Sequence, residues 1–354
     1  MVCSPLSHLM SLPARFYCLH HGLPGGMKAI KGIVISILIL LSLPGLSFSL
    51  QNDEIRVLIL DKGFEKVPGK DEALKKLDDV DGRLVLGYDA YMGKLTIWKG
   101  KGGLYLVNSL PLEDYVKGVV LAETARQWAG EALKAQAVMV RTYVLSHVSS
   151  ASRPEYHVTS SVLSQVYRGL NSDVNVEEAV NSTVGEVLTY RGKLIEALYH
   201  STSVGSTEAP ENVYGNALPY MRSVPASGRL SPLAFWSRRI HLGEIERASR
   251  ISGISSIRIG TRTSSGRAGD VVLVTGDGER KIIGTKLRSF LKLPSTDFSV
   301  HVEGSEAVFD GKGWGHGVGL CQWTALEMAL EGRNYKEILA HFFPGTEIRL
   351  DEDL

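Results

Sequence analysis

LPLEDYVKGVVLAETARQWAGEALKAQAVMVRTYVL, Leu110 to Leu145, holds two helical patterns joined by a short connection. Leu112, Val116 and Val119 recur at the spacing of one helical face, and Tyr115 and Val120 widen it. Pro111 suits a first helical position. The first helix is predicted over residues 111–123, the connection over Thr124–Gly130, and a second helix over Glu131–His147. Leu133, Ala137, Val140, Val144 and Val148 form the second stripe. One residue breaks the first pattern. Glu123 falls four residues after Val119, where the apolar stripe should continue. It would project from the core-facing side near the C-terminal end of its helix, where burial and the helix dipole both raise a carboxyl pKa. Two readings stay open: an edge-exposed or salt-bridged glutamate, or a general acid with a raised pKa. Glu113 and Asp114, in the first turn, read as ordinary surface acids that favour the helix dipole.

The chain has 354 residues and a formal net charge of +1. That length allows one large or two modest domains, and the near-neutral charge argues against a dedicated nucleic-acid binder. Residues 27–49, MKAIKGIVISILILLSLPGLSFS, have a basic start, an apolar run and small residues at cleavage positions. This is the pattern of a secretory signal, with an uncleaved anchor as the other reading. Residues 1–26 fit neither, so Met27 is expected to be the true start. Cys3 and Cys18 lie in the leader, which leaves Cys321 alone downstream. No internal disulfide and no zinc ribbon can form there, and the location expected is extracytoplasmic.

Beyond the leader, Ile55–Leu60 is a β-type run. After a polar interval rich in Lys and Asp, Arg83–Asn108 alternates between Gly punctuations and predicts short antiparallel strands. His157–Gly169 reads as strand and loop, Val174–Gly185 as a short helix ended by Gly, and Glu186–Ser203 as a hairpin turning at Arg191-Gly192. A long loop follows, Val204 to Pro225. Residues 235–310 hold a helix near Leu242–Ser252, strands at SIRIGTR and DVVLVTG, and a short helix at TKLRSFLKL. A Gly-rich turn leads into a helix near Leu320–Glu331. Asn334 and Glu337 predict a capping box for a last helix.

The Gly-rich GWGHGVG, Gly313 to Gly319, is neither a phosphate loop nor a dinucleotide fingerprint. It is a structural turn or a loop that brings His316 to a ligand. Tyr199–Gly215 is dense in hydroxyls around one His and one Glu, as loops and binding rims both are. Gln136 and Arg141 lie near the stripe of the second helix and need partners there, in the core or on a sugar amide or carboxylate. Cys321 reads as a buried, inert thiol, with a nucleophile as the rival.

In order along the chain, these pieces resemble the stage II sporulation protein D (SpoIID)/LytB family: IRVLIL, LPLEDYVKGVVLAE, EALKAQAVMVRTYVL, SQVYRG, YHSTS with STE and ENVYG, PYMRSV, SGRA, LRSFLKLPSTDF and GWGHGVGLCQW with FPGTEI. The likeness runs over 55–348. It implies a lytic transglycosylase of peptidoglycan acting on glycan strands stripped of stem peptides, with Glu123 of the Ala122-Glu123 pair as catalytic acid and then base. It implies substrate contacts from Gln136, Arg141, Gln165, Tyr167, His200, Ser201, Ser203, His316 and Gln322. Thr124-Ala125 replaces the family's Met-Pro. Thr159, Leu163 and Ser164 stand where some members carry a zinc set, so no metal and no cofactor are expected. The LytB branch implies a second role, a non-catalytic enhancer of a cell-wall amidase. A thiol peptidase or amidase using Cys321 is the third reading.

The fold expected is α+β: a β-rich part over 50–108, then a catalytic domain over 109–349 with a second lobe at 225–310. The two lobes would flank a cleft for an extended glycan. The partners expected are peptidoglycan strands and a wall amidase. Nucleic acid is not among them, and membrane contact would come only through an uncleaved N-terminal segment.

Overall fold

A computed structural model describes residues 54–354 apart from 61–63, 65, 152, 163, 171 and 172. The leader and signal expected over 1–49 lie outside the described residues, as does Leu163. The architecture is α+β, with helices and mixed sheets.

The chain opens with β1 (Glu54–Ile59), β2 (Lys75–Leu86), β3 (Asp89–Gly100) and β4 (Gly103–Pro111). β2 and β3 are longer than the short strands the glycines suggested. β2 starts inside the polar interval, and its residues are mostly exposed. Helices α1 (Leu112–Glu123) and α2 (Gly130–Val148) follow, then β5 (Val158–Thr159). The five strands form one sheet in the order β2-β3-β4-β1-β5. β1 runs antiparallel to β4, Ile55 opposite Leu110, and parallel to β5, Val57 opposite Val158. Pro111 caps α1 rather than occupying its first turn.

The next stretch carries α3 (Val174–Asn181), β6 (Glu186–Tyr190), β7 (Lys193–Leu194), β8 (Tyr199–His200), β9 (Gly205–Ser206), α4 (Glu211–Tyr214) and β10 (Pro225–Ala226). The hairpin turns at Arg191-Gly192, where both residues have positive φ. β8 leaves that hairpin and pairs elsewhere, with Leu320–Cys321. The long loop Val204–Pro225 is thus partly regular.

α2 departs most from its expected pattern. Ala135 through Val144 are all buried, on every face. A helix buried all round can carry no polar side chain without a partner inside the protein. Gln136, Arg141 and Thr142 therefore become structural questions, answered below. The first core runs through Ile55, Val116, Val120, Leu133, Val140, Leu188 and Phe342.

A second core forms from β11 (Phe235–His241), α5 (Leu242–Ser249), β12 (Ile254–Arg262), β13 (Ala268–Thr275), β14 (Gly278–Ile283), α6 (Gly284–Leu291), β15 (Phe298–Glu303) and β16 (Glu306–Lys312). Two three-stranded antiparallel sheets, β11-β16-β15 and β12-β13-β14, enclose Ile257, Val271, Leu273, Leu287, Phe298 and Phe309. The chain then returns to the first core as β17 (Leu320–Cys321), α7 (Gln322–Leu330), α8 (Tyr335–Phe342) and β18 (Glu347–Leu350). β17 runs parallel to β8. The Asn334–Glu337 capping box is present.

Candidate active site

Glu123 is the last residue of α1, and it faces inward at 3% exposure. The helix stops there because Thr124 turns extended. Thr124 returns both its N–H and its hydroxyl to the Val120 carbonyl, at 3.0 and 2.7 Å. The Glu123 carboxyl accepts one backbone hydrogen bond, from Val166 N–H to Oε1 at 2.9 Å. Its Oε2 is buried without a hydrogen-bond partner. Burial pushes the pKa up to about 8, and the Val166 N–H and the Gln322 side chain pull it only partly back. Such a carboxyl holds its proton at neutral pH.

Four elements besides α1 bring polar groups to this carboxyl. Tyr115, eight residues before Glu123 on the same face of α1, donates its hydroxyl to Gln165 Oε1 at 3.0 Å. Gln165 Nε2 donates to the Tyr199 hydroxyl of β8 at 3.2 Å. Gln322, opening α7, donates to Gln136 Oε1 of α2 at 3.5 Å. Gln136 Nε2 is a second buried group without a partner. Burial raises the pKa of Tyr115 and Tyr199 well above normal, and the nearby Glu123 charge pushes the same way. The structure thus gathers Glu123, Gln136, Gln165 and Gln322 with Tyr115 and Tyr199. Beside Gln322, Trp323 meets Trp128 edge-on at 5.2 Å.

The two tyrosines escaped sequence reasoning. In the sequence Tyr115 reads as part of the apolar stripe, and only the fold gives its hydroxyl a partner, Gln165. Tyr199 opens the hydroxyl-rich 199–215 run, but only the fold brings its hydroxyl to Gln165.

Other expected site residues sit elsewhere. Arg141 is fully buried and grips Glu113 with two hydrogen bonds, 2.8 and 2.7 Å, and donates a third to the Glu186 carbonyl at 2.9 Å. Glu113 precedes Glu123 by ten residues of helix, about 15 Å along the axis. Arg141 therefore ties α2 to the far end of α1, and substrate contact by it is corrected to a structural ion pair. Glu113 is corrected with it, from a surface acid to the partner of a buried cation. Tyr167 donates to Asn108 Oδ1 at 2.9 Å and lies across Gly118. A Cβ at Gly118 would come within 2.5 Å of the Tyr167 ring and 2.8 Å of the Gly169 carbonyl, so the glycine lets that loop close on α1. Tyr167 supports the helix and is not among the groups around the carboxyl.

The 199–215 segment was expected to offer His200, Ser201 and Ser203 to sugar. Instead His200 and Ser203 are tied by buried hydrogen bonds to Arg267 beside the second core, and Ser201 bonds its neighbour. His200 Nδ1 bonds the Val318 carbonyl at 3.0 Å, and Nε2 bonds Ser203 Oγ at 2.6 Å. Burial, then the Arg267 charge, drives the imidazole pKa down to about 3, so the ring is neutral. Nδ1 carries the proton for the carbonyl, and Nε2 accepts from Ser203. Ser203 Oγ accepts in turn from Arg267 Nη2 at 2.8 Å. Ser201 Oγ bonds Thr202 Oγ1 at 3.1 Å. Glu208, 1% exposed, takes Ala209 N–H and Asn212 Nδ2 on one oxygen and Thr263 and Ser265 hydroxyls on the other. The Thr263–Arg267 loop belongs to the second core, so this network is a latch between cores. Arg267 was missed for that reason: nothing in SGRA reveals a partner sixty residues away.

GWGHGVG lies along the same segment. Gly317 and Gly319 have φ of 86° and 73°, and a side chain at either would strike Arg267 or the Leu198 carbonyl. The loop is tight against the protein itself. His316 donates through Nε2 to the Tyr199 carbonyl at 2.9 Å and accepts Val318 N–H on Nδ1 at 3.0 Å. Cys321 is buried, accepts Ser203 N–H and the Thr324 hydroxyl, both at 3.2 Å, and burial raises its thiol pKa. Buried and bonded in this way, Cys321 has the surroundings of a structural thiol rather than those of an accessible nucleophile. Where the zinc set would be, Thr159 and Ser164 bond each other through their hydroxyls at 3.2 Å.

A buried glutamate at a helix end, with amides and phenols gathered near it, is the candidate site of this α+β protein. The profile described as stage II sporulation protein (SpoIID) matches residues 100–190, which span that site. A domain of unknown function (DUF8618) matches residues 238–319. The chain is 34% identical over 259 residues to stage II sporulation protein D of Bacillus amyloliquefaciens, covering 68% of this chain and 75% of that protein. It is 34% identical over 275 residues to an uncharacterized protein of Brachyspira hyodysenteriae, covering 76% and 74%. To the amidase enhancer of Bacillus subtilis (strain 168) it is 27% identical over 289 residues, which is 66% of this chain and 40% of that protein. The chain belongs to the stage II sporulation protein D family.

Proposed function

We propose that this protein is a peptidoglycan lytic transglycosylase acting outside the cytoplasm on peptide-stripped glycan strands. The observation that carries the reading is the Glu123 carboxyl, protonated at neutral pH with one oxygen unpartnered. Two-carboxylate glycosidases divide acid and base between two groups. Here one group serves in turn. Glu123 protonates the glycosidic oxygen between MurNAc and GlcNAc, and that C–O bond breaks. The resulting carboxylate takes the proton from the MurNAc C6 hydroxyl as its oxygen closes on C1. The product carries a 1,6-anhydro ring, and Glu123 regains its proton. A pKa near neutrality suits a group that must give and then recover one. Gln136 and Gln322 stand ready to orient acetamido or hydroxyl groups, and Tyr115 and Tyr199 hold Gln165 in place. In this reading the two cores act as two lobes, and the glycan lies in a cleft between them.

A second reading rests on one relationship, the likeness to a protein named amidase enhancer. In it the chain binds glycan and stimulates a wall amidase without cutting. Thr124-Ala125, in place of the family's Met-Pro, favours it. Peptide-free strands incubated with wild type and with Glu123→Ala, then analysed by mass spectrometry, separate the two. Anhydro-MurNAc ends from wild type alone support catalysis. Strand retention by both proteins without product, with stimulation of an added amidase, supports the enhancer.

A further inference from the structure

A cavity of about 440 Å³ opens between α4, α6 and the glycine-rich loop. Two of its lining residues are cations, Arg288 on α6 and Lys292 just after it, and among its described lining residues none is a carboxylate. Its walls include the Trp314 indole and the Tyr214 ring. Tyr214 meets His316 edge-on at 5.9 Å. The Trp314 Nε1–H is buried without an acceptor. Cations beside aromatic walls are the chemistry of an acidic sugar: the ring's apolar face lies on the aromatics and the carboxylate meets the charge. The Arg288 charge is felt at both His316 and Tyr214, at Tyr214 behind that of Glu196. Glu196 is the opposing acid, felt at Tyr214.

One residue joins this cavity to the site. The Tyr199 carbonyl takes His316, which borders the cavity, and the Tyr199 hydroxyl takes Gln165, beside Glu123.

We infer that this cavity is a subsite for a carboxylate-bearing sugar of the bound strand, with Arg288 and Lys292 receiving the carboxylate and Trp314 the ring. The inference rests on the glycan reading above and gives its substrate preference a physical basis. The muramic lactyl group is a carboxylate only where no stem peptide is attached. With the peptide present that carbon is an amide, neutral and bulky. Arg288 and Lys292 thus distinguish stripped from substituted strands.

The test measures binding by the full chain carrying Glu123→Ala, so that nothing is cut. The probes are peptide-free strands and the same strands with their carboxyls converted to amides. Free-carboxylate strands should bind about tenfold more tightly, which is about 1.4 kcal/mol, and the ratio should shrink as salt rises. Adding Arg288→Gln and Lys292→Gln together should bring the ratio to one while leaving affinity for amidated strands unchanged. Should that double substitution unfold the chain, exposed Lys292→Gln alone decides, with a ratio reduced about threefold. Equal binding of the two strands by the parent, no binding of either, or a ratio untouched by the substitutions overturns the inference. Anhydro ends from wild type with a binding ratio of one would sink the subsite and leave catalysis standing. A ratio of ten without anhydro ends would do the reverse.

Discussion

Glu123 and Glu208 are glutamates of nearly equal burial, 3% and 1% exposed, and their surroundings are opposite. Glu208 receives four hydrogen bonds, two on each oxygen, and shares its neighbourhood with buried Arg267. Glu123 receives one backbone N–H, and its second oxygen has none. Burial alone does not make an acid reactive. The count of donors does, because each bond to the charged form offsets part of the lost hydration. Glu208 is equipped to hold two cores together, whereas Glu123 is left short of partners and keeps its proton.

The largest effect that could break this contrast is on activity. Glu123→Gln should lower anhydro-product formation by at least about 10²-fold, while the melting temperature holds or rises, since Gln keeps an acceptor for the Val166 N–H and places no ionisable group in the interior. A variant that melts far below wild type would make Glu123 structural, like Glu208.

The converse substitution comes next. Glu208→Ala leaves Ala209 N–H, Asn212, Thr263 and Ser265 without their shared acceptor. Urea unfolding should show a loss of about 1–3 kcal/mol. A loss under about 1 kcal/mol would mean that the latch does not hold the cores together.

The pH dependence sharpens the comparison further. Between the ordinary carboxyl value of 4.5 and about 8, the folded chain keeps a proton on Glu123 that the unfolded chain has released. Glu123's contribution to stability is complete below that window and is lost as pH rises through it, by about 1.4 kcal/mol per unit. Glu123→Gln should flatten that slope. Activity should fall along the same limb as pH passes about 8, because the acid form starts the reaction. An activity profile flat from pH 6 to 9 would contradict the assignment.

The smallest effect concerns the thiol. Cys321→Ser should leave product formation within about twofold of wild type and shift stability by less than about 1.5 kcal/mol. Loss of activity on that change, or on alkylation of the folded chain, would revive the nucleophile.

Much of the fold was legible in the sequence because its signals are local. Apolar spacing marked α1 and α2, Arg191-Gly192 marked the hairpin, and Asn334 with Glu337 marked the start of α8. Glu123 was legible for the same reason, as a carboxylate out of step with its own stripe. Other features depend on pairings between distant segments. β2 extends into a polar stretch because β3 is there to pair with it. Arg141 looked like a ligand contact until α2 proved buried on every side and Glu113 met it. His200 and Ser203 looked like a binding rim until Arg267 arrived from the second core.

The sequence by itself determined which residue breaks the pattern and therefore where chemistry could reside, because helical periodicity is a property of neighbours along the chain. Only the tertiary structure decided that one Glu123 oxygen is left without a partner while Glu208 receives four bonds, because hydrogen-bond donors come from whatever segment folding brings near. For Glu123 that is one backbone amide of the 160–167 loop. For Glu208 it is two hydroxyls from the second core.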